Sequence, residues 1–244
     1  MGEVGLKVKL LRYTPEPEKA IAMAAKLCYS AADIDELAQD IEEKDQANFL
    51  QKLMDMGHLS PVEHASFIFG VEGVSRSLLA QITRHRIASF SVKSQRYVSQ
   101  KSQGESTFNY IIPPSIKELG DEYIEKFDKQ MQQIQKWYDD WIEVLGNQGE
   151  KSNEDARFVL PNAAETKFVV TMNARELLHF FSLRCCNRAQ WEIRILATEM
   201  LRQVKEIAPN LFKNAGPGCV RGKCPEGKMT CGKANEVRDN FLKM

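Results

Sequence analysis

No stretch of this 244-residue chain approaches the ~20 consecutive apolar residues of a membrane-spanning helix, so an integral helical membrane protein is excluded. Net charge is equally lacking, because 33 basic residues face 33 acidic ones. A general nucleic-acid binder would carry a basic surplus to exploit counterion release, and that class is disfavoured as well. The opening Met-Gly-Glu-Val-Gly-Leu-Lys-Val-Lys-Leu-Leu has no apolar core of a secretory signal and alternates like a first strand. Six cysteines without an export signal point to reduced thiols or metal ligands rather than a disulfide framework, and a cytoplasmic location is expected. Internal repeats and low-complexity segments are absent. What is present is an apolar fraction of 43%, ample for a core, in a length that suits one large domain or two small ones.

The most informative absence is local. Between Glu72 and Glu105 there is no acidic residue, yet Arg76, Arg84, Arg86, Lys93, Arg96 and Lys101 all fall there. In a chain of balanced charge this is an arrangement, not a bias. Its centre, Arg84-His85-Arg86-Ile87-Ala88-Ser89-Phe90-Ser91-Val92-Lys93-Ser94-Gln95-Arg96-Tyr97, spaces guanidinium groups among hydroxyls and an amide. That mixture suits an anion whose polar edges must also be read, such as a nucleotide. A solvated basic face is the alternative. The interleaved Ile87, Phe90, Val92 and Tyr97, and the apolar Leu78, Leu79, Ala80 and Ile82 upstream, favour the anion site.

The pattern predicts helices over 15–30, 36–56, 75 to about 85, 115–146, 153–159, 174–184 and 190–207, with Ser75 as an N-cap. In the long 115–146 helix, Trp137, Trp141 and Leu145 fall on a repeating face. Strands are expected at the N-terminus and over 65–71, 108–112 and 167–172. Few strands among many helices, without regular βαβ alternation, predict a mixed α/β (α+β) fold: helices packed around a small sheet, with a long helical arm.

Arg84-His85-Arg86, seven residues, Ser94, then Arg96-Tyr97 resembles the signature of the flavin-dependent thymidylate synthases. The resemblance extends to Gly57-His58-Leu59-Ser60-Pro61-Val62-Glu63-His64, to Ala156-Arg157-Phe158-Val159-Leu160-Pro161, to Thr171-Met172-Asn173-Ala174-Arg175-Glu176-Leu177, to Leu183-Arg184 and to Ala189-Gln190-Trp191-Glu192-Ile193. Several motifs in order are far more specific than one Arg-His-Arg. It covers roughly residues 5 to 212, leaving one domain over 1–212 and a Gly- and Cys-containing tail over 213–244. It implies reductive methylation of dUMP to dTMP, with 5,10-methylenetetrahydrofolate as carbon donor, FAD as redox cofactor and NADPH as reductant. It also implies a homotetramer with active sites shared between subunits, acting on neither nucleic acid nor membrane.

Residue by residue, the resemblance assigns Gln81, Arg84, Lys93, Ser94, Gln95, Arg96, Arg157 and Arg184 to dUMP. It assigns Ser60, Arg84, His85, Arg86, Asn173, Arg175 and His179 to FAD. Arg184 is the residue expected to carry activation of the pyrimidine. On a helix reaching Arg86, Gln81 and Arg84 would share a face while Arg84 and Arg86 would lie about 200° apart and serve different ligands. Ser94 has no histidine beside it to act as base, so a hydrogen-bond donor is favoured over a nucleophile. Arg157 could instead pair with Glu154 or Asp155 at the surface, and His58 and His64 could be structural. Val92 stands where many family members carry a carboxylate or amide, and Arg188 where some carry histidine. Cys219-x4-Cys224-x6-Cys231 is one thiolate short of a structural zinc site, with Cys185, Cys186 or another subunit as a possible fourth source, so no metal is assigned. A nucleotide- or RNA-binding module without catalysis is the rival reading; a flavin absorption band separates the two.

Overall fold

The computed structural model describes residues 2–43, 45–104 and 106–244. Its strands are β1 (Lys7–Tyr13), β2 (Ser66–Ser75), β3 (Ala88–Val92) and β4 (Glu165–Asn173), in one sheet of order β1-β2-β4-β3. Neighbours are antiparallel: Thr14 N–H donates to Ser66 O, Arg76 N–H to Ala164 O and Lys93 N–H to Lys167 O, each joining the end of one strand to the start of its neighbour. Among the described residues eleven α-helices surround these strands in sequence, α1 (Pro17–Leu27), α2 (Ile34–Glu43), α3 (Ala47–Asp55), α4 (Arg76–Ile82), α5 (Pro114–Lys117), α6 (Asp121–Val144), α7 (Glu150–Ala156), α8 (Ala174–Arg184), α9 (Trp191–Ile207), α10 (Pro209–Phe212) and α11 (Ala234–Lys243). The mixed α/β class and the long helix, α6, agree with the sequence reading.

Two compact units divide the chain. Unit 1 comprises Met1–Lys7, Val71–Arg84 and Phe90–Val169; unit 2 comprises Val8–Gly70, His85–Ser89 and Val170–Met244. In unit 2 the core is aromatic. Phe67 and Phe181 each meet Phe212 edge-on, and all three are fully buried. In unit 1, Phe108, Tyr110, Ile112, Met131 and Ala164 form one cluster, and Tyr138, Ile142 and Ala156 another.

Several boundaries differ from expectation for identifiable reasons. The 36–56 helix is two, α2 and α3, with Gln46 buried between them and its amide donating to Ile41 O; Lys44 lies outside the described residues. The 108–112 strand reduces to bridges from Tyr110 to Glu3 and Ala164, because its neighbour turns at Pro161, where Ala164 N–H returns to Pro161 O. Gly120, at φ 104°, separates α5 from α6. The buried stripe of α6 is Met131, Gln135, Tyr138 and Ile142, one position off the tryptophan face, and Trp137 and Trp141 are half exposed. The tail is ordered, with two 3₁₀ turns and α11.

Candidate functional site

In unit 1, Ser75 sits in the extended region and its hydroxyl accepts from Leu78 N–H at 3.1 Å, which starts α4 as its sequence signal predicts. The helix ends earlier than expected. Thr83 donates its hydroxyl to Leu79 O at 2.9 Å, and the chain turns there instead of carrying Arg84 and Arg86 onto the helix. Arg84 and Arg86 therefore have no fixed angular relation around a helix axis. Gln81 is half-buried on the last turn and Arg84 is exposed just beyond it.

Past β3, Lys93 is held by its backbone bond to Lys167, with its ammonium 3.8 Å from Glu165. Ser94 then organises a tight turn. Its oxygen accepts from Arg96 N–H at 3.1 Å and Tyr97 N–H at 3.4 Å, which leaves its own O–H proton to donate. Gln95 lies half-buried within the turn. Arg96 reaches Glu150 at 2.7 Å and the Tyr97 hydroxyl at 2.6 Å, and its carbonyl accepts from Asn153. All four histidines of the chain belong to unit 2, so Ser94 has no imidazole in its own unit.

Arg157 does not make the surface ion pair that was the alternative for it. Its Nε–H donates to the Glu154 carbonyl at 3.1 Å. Among the described residues neither it nor Arg76 has a carboxylate within salt-bridge distance, and the Arg76 guanidinium is pulled below its usual range by burial and by the positive charge of Arg157. Two neighbouring guanidinium groups without an acid are a place for an anion. A cavity of about 530 Å³ in the same unit is lined by Lys7, Lys93, Lys101, Lys167, Glu72 and Glu165. Of the residues expected to read dUMP only Lys93 lines it, so it is not the enclosed pocket they would share.

In unit 2, Asn173 caps α8, its Oδ1 accepting from Glu176 N–H at 2.9 Å. Arg175, in the first helical turn, is exposed and pairs with Glu63; His179, one turn on, is exposed as well. Ser60 and Arg86 are also at the surface. His85 is different. It is 6% exposed, its Nδ1 lies 2.8 Å from Glu176 Oε1, and its Nε2 accepts from Arg184 Nε–H at 3.1 Å. Phe180 packs edge-on against the ring at 5.0 Å and His179 at 5.9 Å. Burial pushes the His85 pKa down, with Arg184 and His179 adding to this and Glu176 opposing it. His58 meets the Tyr29 hydroxyl at 3.3 Å, and His64 is exposed.

None of the six cysteines is in a disulfide. Cys224, Cys186 and Cys231 lie close enough to Cys219 to raise its thiol pKa, after burial as the main cause. Among the described residues no three His, Cys, Asp or Glu side chains are drawn together tightly enough to hold a metal.

A family model described as "Thymidylate synthase complementing protein" matches residues 9–210. The chain belongs to the flavin-dependent thymidylate synthase family. The flavin-dependent thymidylate synthase of Geobacter sulfurreducens is 53% identical over 239 residues, covering 98% of this chain and 99% of that one. That of Clostridium tetani is 53% identical over 251 residues, covering 98% of both. That of Pyrococcus abyssi is 40% identical over 246 residues, again covering 98% of both.

Arg76 and Glu176, which carry no expected site role, lie beside residues that do: Arg76 beside Arg157, and Glu176 against His85. Arg76 was one cation among six in the acid-free run, and only folding sets it beside Arg157. Glu176 follows Arg175 in the 171–177 segment, and nothing local marks it as buried against a histidine 91 residues away. No helix among the described residues is long and apolar enough to cross a membrane.

Proposed function

We propose that the protein is a flavin-dependent thymidylate synthase that methylates dUMP to dTMP, with 5,10-methylenetetrahydrofolate as carbon donor and NADPH as reductant, working as a homotetramer. Family membership across 9–210 carries the reading, and the disposition of side chains supports it. Unit 1 holds the dUMP set apart from Arg184. Lys93, Ser94, Gln95 and Arg96 form a preorganised turn with a hydroxyl proton to give, and Arg157 beside Arg76 offers cations to the phosphate.

The FAD set falls mostly in unit 2. A dinucleotide needs surface cations for its diphosphate and hydrogen-bonding groups for its rings. Exposed Arg86, Arg175, His179 and Ser60 meet that need, and Asn173 adds an amide beside them in sequence. FAD held by these residues would supply the hydride chemistry, and the side chains would bind and orient it. Arg184 stays charged when desolvated and would stabilise the negative charge that addition moves toward the N3–C4 edge of the uracil, more in the transition state than in the ground state.

The test is purification followed by a visible spectrum and an assay of dTMP. Flavin bands near one per chain, and dTMP formation requiring dUMP, NADPH and methylenetetrahydrofolate together, are expected. A protein without flavin absorption that makes no dTMP when FAD is supplied overturns the reading and favours a binding module.

A further inference from the structure

His85 occupies a position that a surface ligand contact does not explain. Its ring is buried against Phe180, and both ring nitrogens are engaged inside unit 2. The hydrogen-bond chemistry fixes its state. Arg184 Nε carries a proton and can only donate, so the His85 Nε2 it meets at 3.1 Å must be a lone pair. The ring proton is then on Nδ1, where it donates to Glu176 Oε1 at 2.8 Å. Glu176 is itself 6% exposed and is set by the first turn of α8, whose Asn173 cap receives its backbone N–H. Arg184 closes the same helix. One eleven-residue helix thus supplies both ends of the chain Glu176–His85–Arg184, and the segment after Arg84 inserts the middle.

We propose that Glu176 and His85 are positioning residues: the buried carboxylate holds His85 in the Nδ1–H tautomer, and His85 anchors the Nε edge of Arg184 so that its guanidinium plane is fixed before substrate arrives. This rests on the reading of Arg184 as the residue that meets the pyrimidine. A long arginine without an anchor would have to lose its rotamer freedom on binding; one tied at Nε has lost it already. The logic is that of a carboxylate behind an imidazole in hydrolytic triads, where replacing the carboxylate by an amide releases the wrong tautomer. Here the wrong tautomer carries its proton on Nε2 and turns an acceptor into a donor facing a donor. Protonation of His85 has the same effect and adds a second positive charge beside Arg184. The charged and titratable groups around the ring are Glu176, Arg184 and His179. The anchor is intact above the lowered pKa of His85 and is lost as pH falls through it.

The experiment uses the flavin-loaded protein and four variants, Glu176→Gln, His85→Gln, Arg184→Ala and the Glu176→Gln/Arg184→Ala double variant. It reads flavin content, dUMP affinity by calorimetry, and dUMP-dependent flavin oxidation against pH. Arg184→Ala should keep its flavin and lose at least ~100-fold in oxidation rate. Glu176→Gln should keep flavin, weaken dUMP binding several-fold and slow oxidation by about 10-fold, and it should cost nothing further in the Arg184→Ala background. His85→Gln retains an acceptor for Arg184 but cannot titrate, so it should outperform Glu176→Gln at low pH and lose the wild-type acid limb. Wild-type dUMP affinity and rate in Glu176→Gln, an additive loss in the double variant, or an unchanged acid limb in His85→Gln each overturn the anchoring. Wild-type rates in Arg184→Ala instead remove the role of Arg184 itself, and with it the need for an anchor. If Glu176→Gln loses flavin or fails to fold, the acid limb of His85→Gln decides alone.

Discussion

Ser94 shows how much a single side chain can be asked to do. Its oxygen is already an acceptor for two backbone N–H groups, so the turn that presents it depends on it while its proton remains to be given. Ser94→Ala should weaken dUMP binding by about 1 kcal/mol, roughly five-fold in Kd, with turnover surviving at saturating dUMP. Absence of detectable turnover under those conditions would mean that Ser94 is a nucleophile after all. This residue was legible in the sequence, because a serine in a basic, hydroxyl-rich run needs no tertiary information to be suspected. Glu176 was not. A glutamate in the first turn of a helix reads as a partner for the helix dipole, and only the arrival of His85 from a distant segment makes it a buried hydrogen-bond acceptor. His85 itself was legible as important but not in its orientation, since nothing local says which way its nitrogens face.

At the scale of elements, the starts of the capped helices were read almost to the residue, while the end of α4 was not. Ser75, Asn173 and Gln190 each accept a backbone N–H at the head of α4, α8 and α9, and short-range chemistry of that kind is visible in sequence. The break between α2 and α3, where the Gln46 amide turns back to Ile41 O, was missed, and so was the shortening at Tyr110 that a distant neighbour sets. The face of α6 was misjudged for a related reason: two tryptophans i and i+4 look like a core stripe, yet Tyr138 and Ile142 are the residues that meet Ala156. Gly73 is a subtler case, a left-handed residue inside β2 at φ 71° whose Cβ, were there one, would lie 1.9 Å from the carbonyl oxygen of Gly5. Glycine in a strand interior often marks such a close backbone approach. Gly73→Ala should therefore lose roughly 3 kcal/mol or more, combining the positive φ with a displaced backbone, and lower the Tm by about 6 °C or more. A Tm equal to wild type in scanning calorimetry would show that β2 and the segment at Gly5 can part locally without cost.

At the scale of the whole molecule, the surface of α6 has to be accounted for. Trp137, Trp141 and Val144 follow one another at i, i+4 and i+7 and are 51%, 49% and 75% exposed, and Phe158 in the same unit is 82% exposed. An apolar stripe at helical spacing that does not face its own core is the pattern of a surface covered by another chain. The proposed homotetramer provides that chain as a second copy, and symmetric closure would bury the stripe without leaving it open to further growth. Serines at exposed helix positions cost the fold little by propensity, so they can probe assembly separately from folding. With α6 in the interface of the proposed tetramer, the Trp137→Ser/Trp141→Ser variant should sediment as smaller species than the parent at equal concentration. It should also lose flavin in proportion, because sites shared between subunits, as the proposed assembly has them, cannot outlive it. Sedimentation of the parent and variant with parallel flavin-to-protein ratios checks both statements. An unchanged tetramer would take α6 out of the interface, whereas a monomer that kept one flavin per chain would show that each subunit completes its own site.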